Sequence, residues 1–157
     1  MSLRRMLVDA EKCSGCRSCE MICSFKHEGR FSPTLSRIRV IKEDKHGFDY
    51  PIFCRQCDPC AAVAACPVGA LNKTTLGITQ LNKDACVGCR SCKEACTFGA
   101  VELDEFSRPL ICDLCGGEPI CVRRCPTNAI TFVESETENR SPELESRRLL
   151  RKWGIIG

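Results

Sequence analysis

Sixteen of the 157 residues are cysteine, and they fall into four groups of four with none left over. The groups are Cys13, Cys16, Cys19 and Cys23; Cys54, Cys57, Cys60 and Cys66; Cys86, Cys89, Cys92 and Cys96; and Cys112, Cys115, Cys121 and Cys125. The first and third are near repeats: Cys13-Ser14-Gly15-Cys16-Arg17-Ser18-Cys19 returns as Cys86-Val87-Gly88-Cys89-Arg90-Ser91-Cys92. The second and fourth each end in Cys-Pro and continue alike, as Pro67-Val68-Gly69-Ala70-Leu71 and Pro126-Thr127-Asn128-Ala129-Ile130. Two types of quartet therefore alternate along the chain.

Cysteine at this density is a strong compositional outlier. Part of the 43% apolar fraction is cysteine itself, and Tyr and Trp occur once each. The conventional apolar core is thin for a chain of this length, which suits one domain or two small ones. Metal ligation or disulfides must supply the rest. Disulfides need an oxidising compartment and normally a secretory leader. Arg4 and Arg5 are followed by only three apolar residues before Asp9. No apolar run approaches the roughly 20 residues of a membrane span. The expectation is a reduced, cytoplasmic protein without a membrane span.

The spacing points to iron–sulfur cubanes. Two residues between ligands let a tight loop wrap three sulfurs around one cluster. Gly15 and Gly88 suit this, since glycine adopts positive φ and lets backbone N–H groups approach sulfur. Cys19 and Cys23 are four apart, as are Cys92 and Cys96. On a helix they share one face, a turn apart, and can serve two neighbouring clusters. This is the bacterial ferredoxin arrangement, in which the fourth cysteine ligates the other cluster. Zinc knuckles need only paired C-x-x-C, which makes a third cysteine two residues on superfluous. A thioredoxin-type site needs one pair, not four quartets. His27 and His46 are expected to be exposed loop residues, because sixteen thiols already fill sixteen ligand places. The formal charge of +3 counts each thiol as neutral. A cubane with four thiolates carries about −2, so four would bring the protein to about −5. The basic balance therefore implies no nucleic-acid partner.

Short strands are expected at residues 6–8, 37–41, 71–73, 78–81, 101–103, 110–111 and 130–133, with turns at 75–77 and 104–108. Residues 134–140 read as a polar linker. Ser141 then offers an N-cap, Pro142 the first helical position, and Glu143 and Glu145 acidic first-turn residues, so a helix to about Lys152 follows. The apolar end Trp153-Gly154-Ile155-Ile156 either docks on a partner or tucks against the protein's own surface. The chain has no nucleophile–base signature, phosphate loop or dinucleotide fingerprint, and reads as non-catalytic. The fold class is α+β, loop-rich, with small hairpins and a C-terminal helical tail.

These motifs, over residues 7–133, resemble the four-cluster ferredoxin-like electron-transfer subunits of molybdopterin and tungstopterin oxidoreductases. The short length, Ser36-Arg37-Ile38-Arg39-Val40 and Cys112-Asp113-Leu114-Cys115-Gly116-Gly117 look most like the small subunit of tungsten-dependent aldehyde:ferredoxin oxidoreductase complexes. One departure stands out. The family's second quartet has a longer gap before its third cysteine, whereas Cys60 follows Cys57 by three.

The resemblance implies four [4Fe–4S] clusters and two pseudo-symmetric units: residues 1–36 with 104–133, and residues 37–103, followed by a tail at 134–157. It implies ligand sets Cys13, Cys16, Cys19, Cys125; Cys112, Cys115, Cys121, Cys23; Cys54, Cys57, Cys60, Cys96; and Cys86, Cys89, Cys92, Cys66. Spacing alone also permits the first quartet to pair with the second. The implied function is a relay of single electrons between a catalytic tungsto- or molybdopterin subunit and a flavin- or NAD(H)-reactive subunit or ferredoxin. Formate dehydrogenase, hydrogenase and aromatic acyl-CoA reductase complexes are alternative settings, and a zinc-stapled module is an alternative class. Clusters exposed at both ends would also allow end-to-end self-association. On the implied sets, a Cys23→Ala chain keeps the Cys13–Cys16–Cys19 cluster and loses the one held by Cys112, Cys115 and Cys121. Cluster-resolved EPR reads the loss, and the reverse pattern overturns the assignment.

Overall fold

The computed structural model describes residues 4–136 and 139–157. Residues 1–3, at the start of the leader reading, and 137–138, inside the expected linker, lie outside it. Among the described residues, eight short strands pair into four separate two-stranded antiparallel sheets. With so few contiguous apolar residues, no strand gathers more than one neighbour.

The chain ends meet first. β1 (Arg4–Val8) pairs with β8 (Ile130–Glu134), Arg4 opposite Glu134 and Val8 opposite Ile130. The outer edge of β1 is not left open: the Asn139 side-chain amide accepts from Val8 N–H at 2.9 Å and donates to the Met6 carbonyl at 2.9 Å. One side chain thereby imitates a third strand and blunts the edge. α1 (Ser18–Glu28) starts at Arg17, whose backbone is left-handed. It stops at Gly29, also left-handed, whose N–H bonds the Phe25 carbonyl. This is the usual glycine end for a helix. The α1 flank packs on α4 (Ile120–Arg124), and α2 (Ala61–Ala64) packs on α3 (Ser91–Ala95).

β2 (Ile38–Glu43) and β3 (Phe48–Phe53) form the longest hairpin. Buried Glu20 on α1 holds it, accepting the Val40 N–H at 2.6 Å while Arg17 Nε lies 2.8 Å from the same carboxylate. The two smaller hairpins close as their sequences suggest. β4 (Leu71–Lys73) meets β5 (Thr79–Leu81) across a turn in which Gly77 N–H bonds the Thr74 carbonyl. β6 (Glu102–Leu103) meets β7 (Pro109–Leu110) across a turn whose Asp104 carboxylate accepts the N–H of both Phe106 and Arg108 at 2.9 Å.

The main core joins Met6, Ile38, Val40, Phe53, Leu71, Val101, Ile111 and Ile130 with Cys19, Cys23, Cys54, Cys92, Cys112 and Cys121. Thiols are thus built into the core itself. A second, small cluster forms where Leu149 of α5 (Pro142–Lys152) meets Ala10, Phe48 and Tyr50. Ser141 caps α5 by accepting the Leu144 N–H at 3.3 Å. The Tyr50 hydroxyl donates to the Arg140 carbonyl at 2.8 Å. The tail therefore tucks against its own chain through Leu149, while Trp153, Ile155 and Ile156 stay exposed. Among the described residues no helix is long and apolar enough to cross a membrane.

Leu149 is 1% exposed, so Leu149→Ala leaves a void costing about 2–4 kcal/mol. Around α5 itself, among the described residues, this leaves only the Tyr50–Arg140 bond and exposed pairs of Glu11 with Lys152 and Arg148, which hold little. We expect limited proteolysis to remove the tail of this variant quickly while iron content is unchanged. A tail as resistant as wild type would show that Leu149 is not its anchor.

Candidate functional site

The loop conformations that gather the thiols repeat at matched positions. Gly15 and Gly88 have φ near +65°, and so do the following Arg17 and Arg90. A Cβ on Gly15 would run into the Lys42–Asp49 ion pair, and one on Gly88 would stand 3.1 Å from the Phe106 carbonyl. Conformation disfavours a side chain at both positions, and at Gly88 a backbone carbonyl crowds it as well. After the Cys-Pro steps, Gly69 and Asn128 occupy equivalent left-handed positions, and asparagine is the non-glycine residue that tolerates this best. The consequence falls on the preceding cysteine. Burial raises the Cys66 thiol, but the N–H groups of Leu71, Val68, Ala70 and Gly69 outweigh it and leave the thiol below its ordinary range. Cys125 is likewise lowered: against burial stand the Ile130 N–H, the Thr127 hydroxyl and N–H, and the Ala129 N–H.

Three of the resulting sulfur groups line cavities. Cys13, Cys16, Cys19 and Cys125 surround one of about 20 Å³, with Val40 and Ile130 among its walls. Cys66, Cys86, Cys89 and Cys92 surround another of about 20 Å³, walled by Leu71 and Leu81. Cys54, Cys57, Cys60 and Cys96 surround a third of about 100 Å³, with Ala62 and Ile111. Among the remaining thiols, Cys23 and Cys121 bear on Cys112, Cys23 bears on Cys115, and Cys23 and Cys115 bear on Cys121, each raising that neighbour's affinity for its proton. Cys19 and Cys23, one turn apart on α1, thus face different groups, and Cys92 and Cys96 do the same around α3. Cys60 stands in its group despite the shortened gap before it.

Burial dominates the inner thiols. It pushes Cys19 up to about 12, helped by Cys121. It pushes Cys121 up to about 12, helped by Cys23 and Cys115. It pushes Cys54 up to about 11, against the Gln56 N–H and the Thr79 hydroxyl. Cys112 is raised well above the ordinary thiol range by burial first, with Cys121, Cys54 and Cys23 adding to it. Such thiols are neutral near pH 7 without a cation. A metal must displace their protons, and the energy of ligation then also holds the fold. Four thiols, apolar walls and amide N–H groups aimed at sulfur, such as Arg37 N to Cys23 Sγ at 3.4 Å and Leu71 N to Cys66 Sγ at 3.4 Å, fit an iron–sulfur cubane.

His27 corrects the expectation of an exposed loop residue. It lies on α1, four residues after Cys23, and its side chain is 12% exposed. Nδ1 is 2.9 Å from the Cys23 carbonyl, and Nε2 is 3.1 Å from Asp113 Oδ1. That same Oδ1 accepts the Cys115 N–H at 2.9 Å. His27 thereby ties the α1 cysteine to the Cys112–Cys115 loop. The four-residue spacing carried this signal, since it puts His27 on the face of Cys23. His46 is also only part-exposed, in the β2–β3 turn, 2.7 Å from Glu43. Its place close in sequence to Glu43 within a tight hairpin turn accounts for this.

The outermost thiols are tuned by serine. Cys16 and Cys89 are exposed, and each is lowered mainly by a hydroxyl two residues on, Ser18 and Ser91, and then by that serine's N–H. A donor to sulfur stabilises added negative charge. Ser91→Ala should therefore move the midpoint potential of the Cys89 site to a more negative value and leave the others in place. Potentiometric EPR titration reads this, and an unmoved midpoint would refute the role of the hydroxyl.

A 4Fe-4S binding domain profile matches residues 79–102. The chain is 39% identical over 152 residues to the putative electron transport protein YsaA of Escherichia coli strain K12, covering 87% of this chain and 94% of that one. It is 41% identical over 139 residues to the polyferredoxin-like subunit of the aliphatic sulfonate oxidoreductase of Pyrococcus furiosus, covering 87% and 80%. Among solved structures it resembles a chain of the active site complex BamBC of benzoyl coenzyme A reductase, with TM-score 0.53 and 25% identity over 95% of this chain and 89% of that one. A site that gathers thiols into buried groups, on a chain whose relatives carry electrons, has one reading at the level of family. The chain belongs to the ferredoxin-like iron–sulfur electron-transport proteins, as a non-catalytic, [4Fe–4S]-binding electron-transfer subunit.

Proposed function

We propose that this subunit relays single electrons along four [4Fe–4S] clusters held by its sixteen cysteines. The ligand sets are Cys13, Cys16, Cys19, Cys125; Cys23, Cys112, Cys115, Cys121; Cys54, Cys57, Cys60, Cys96; and Cys66, Cys86, Cys89, Cys92. One observation carries the reading: three of these foursomes each line one cavity and the fourth is linked by charge from sulfur to sulfur, with exposed Cys16 and Cys89 in two of them and Cys19, Cys112 and Cys54 buried. A bound cubane supplies one-electron storage at a potential set by hydrogen bonds to sulfur, nearby charge and exposure. The chain's own residues hold the sulfurs, exclude water from the inner sites with Ile111 and Ala62, and leave Cys16 and Cys89 within reach of partners. Matched loops around Gly15 and Gly88, and around Gly69 and Asn128, support two ferredoxin-like units, residues 1–36 with 104–133 and residues 37–103.

The partners follow from the resemblance of the motifs. One is a catalytic tungsto- or molybdopterin subunit that interconverts aldehyde and carboxylate; the other is a flavin- or NAD(H)-reactive subunit or a ferredoxin. The setting is the cytoplasm. The likeness to the BamBC complex favours a second reading, electron delivery to an aromatic acyl-CoA reductase. Tungsten or molybdenum in the co-purified complex, assayed with an aldehyde and with an aromatic acyl-CoA, separates the two.

Metal and sulfide content of the anaerobically purified chain tests the cluster count. The expected result is about 16 iron and 16 sulfide per chain, with EPR features of interacting clusters after dithionite reduction. About four zinc and no sulfide would replace the relay with a structural scaffold.

A further inference from the structure

The second and fourth quartets approach each other where neither loop has a strand in common with the other. Cys54 and Cys112 are both buried there, and the Cys54 sulfur is close enough for its charge to bear on Cys112. The Gln56 side chain crosses this junction directly. It sits between Cys54 and Cys57 with φ of 55°, a conformation few non-glycine residues adopt. Its Nε2 donates to the Cys112 carbonyl at 2.7 Å. Its Oε1 accepts the Thr79 N–H at 2.7 Å. Its backbone N–H points at Cys54 Sγ at 3.5 Å, and its carbonyl accepts from Lys73 Nζ at 3.1 Å. Thr79 is itself fully buried, with its hydroxyl 3.9 Å from Cys54 Sγ.

We propose that Gln56 is a positioning residue for the electron relay, fixing the spacing and orientation of the two central clusters, those of Cys54 and Cys112. This rests on the four-cluster reading. The alternative is that Gln56 only satisfies two buried backbone groups. The arrangement argues for more. Every polar function of this residue is engaged, and the engagements converge on the two cysteine loops and on the strand that touches Cys54. An amide can also donate to a carbonyl from one atom and accept from an N–H at another while staying neutral. Neutrality matters between two clusters that each gain negative charge on reduction. A carboxylate there would oppose both.

The test compares the full chain with Gln56→Ala, Gln56→Glu and the surface control Gln80→Ala, all purified anaerobically. Iron and sulfide are measured first. A wild-type chain without sulfide removes the four-cluster reading and this inference with it. With clusters present, Gln56→Ala should keep its iron and sulfide but change or lose the EPR interaction features of the two central clusters, leaving those within each outer pair. Gln56→Glu keeps the acceptor for Thr79 and sets a carboxylate against the Cys112 carbonyl. It should shift the midpoints of both central clusters to more negative potentials and spare the outer two. If Gln56→Ala fails to retain iron, the Glu variant carries the test alone. Wild-type interaction features in the Ala variant, or four unmoved midpoints in the Glu variant, overturn the proposal. Gln80→Ala should match wild type in every readout.

Discussion

A thiol buried in apolar surroundings holds its proton, and a thiolate at the same place needs a cation and donors to remain. Everything else in this molecule answers that constraint. Cys19, Cys54, Cys112 and Cys121 are set where burial raises them far above the ordinary thiol range. The loops around them turn backbone N–H groups inward, and they can do so only because glycine, asparagine and a few tolerant side chains accept left-handed backbone. The small size of each sheet follows. A chain that spends so many residues on ligand loops has only a few consecutive residues left for any strand, and no pair of strands finds a third. Stability therefore lives in ligation more than in apolar burial.

The gradient of exposure has the same origin. Cys16 and Cys89 are wet, and serine hydroxyls do there the work that burial cannot. In the middle, water is excluded and the stabilising dipoles belong to the backbone, to Thr79 and to Gln56. A protein built this way can vary the character of a site by moving it along the array, with the same loop motif at either end.

Much of this was legible in the residues. Four quartets, the alternation of two loop types and the value of Gly15 and Gly88 followed from spacing and from the chemistry of sulfur. So did the turns of both small hairpins and the start of α5 at Ser141 and Pro142, because these are local signals whose partners lie within a few residues. β3 was not legible. Phe48–Phe53 carries Asp49 and Pro51, which read against a strand, and only its pairing with β2 and its packing on Leu149 make it one. Gln56 and Asn139 were silent for a related reason. Each completes hydrogen bonds with groups dozens of residues away, and no spacing rule records that. His27 lay between these cases: its helical offset from Cys23 was visible, but Asp113, which gives the contact its meaning, was remote.

The pairing of β1 with β8 carries a consequence for how the molecule comes into being on the ribosome. Cys54 through Cys96 emerge as one uninterrupted stretch, and the two cavities they line take no later cysteine, only walls at Ser107, Pro109 and Ile111. The thiols of Cys13, Cys16 and Cys19 have long since left the exit tunnel by then, yet the cavity they line is incomplete until Cys125 follows. An early loop waits for a cysteine that follows every other thiol of the sequence. A site is complete only when its last cysteine appears, so the two cavities of Cys54 through Cys96 can close before the cavity of Cys13, Cys16 and Cys19 does.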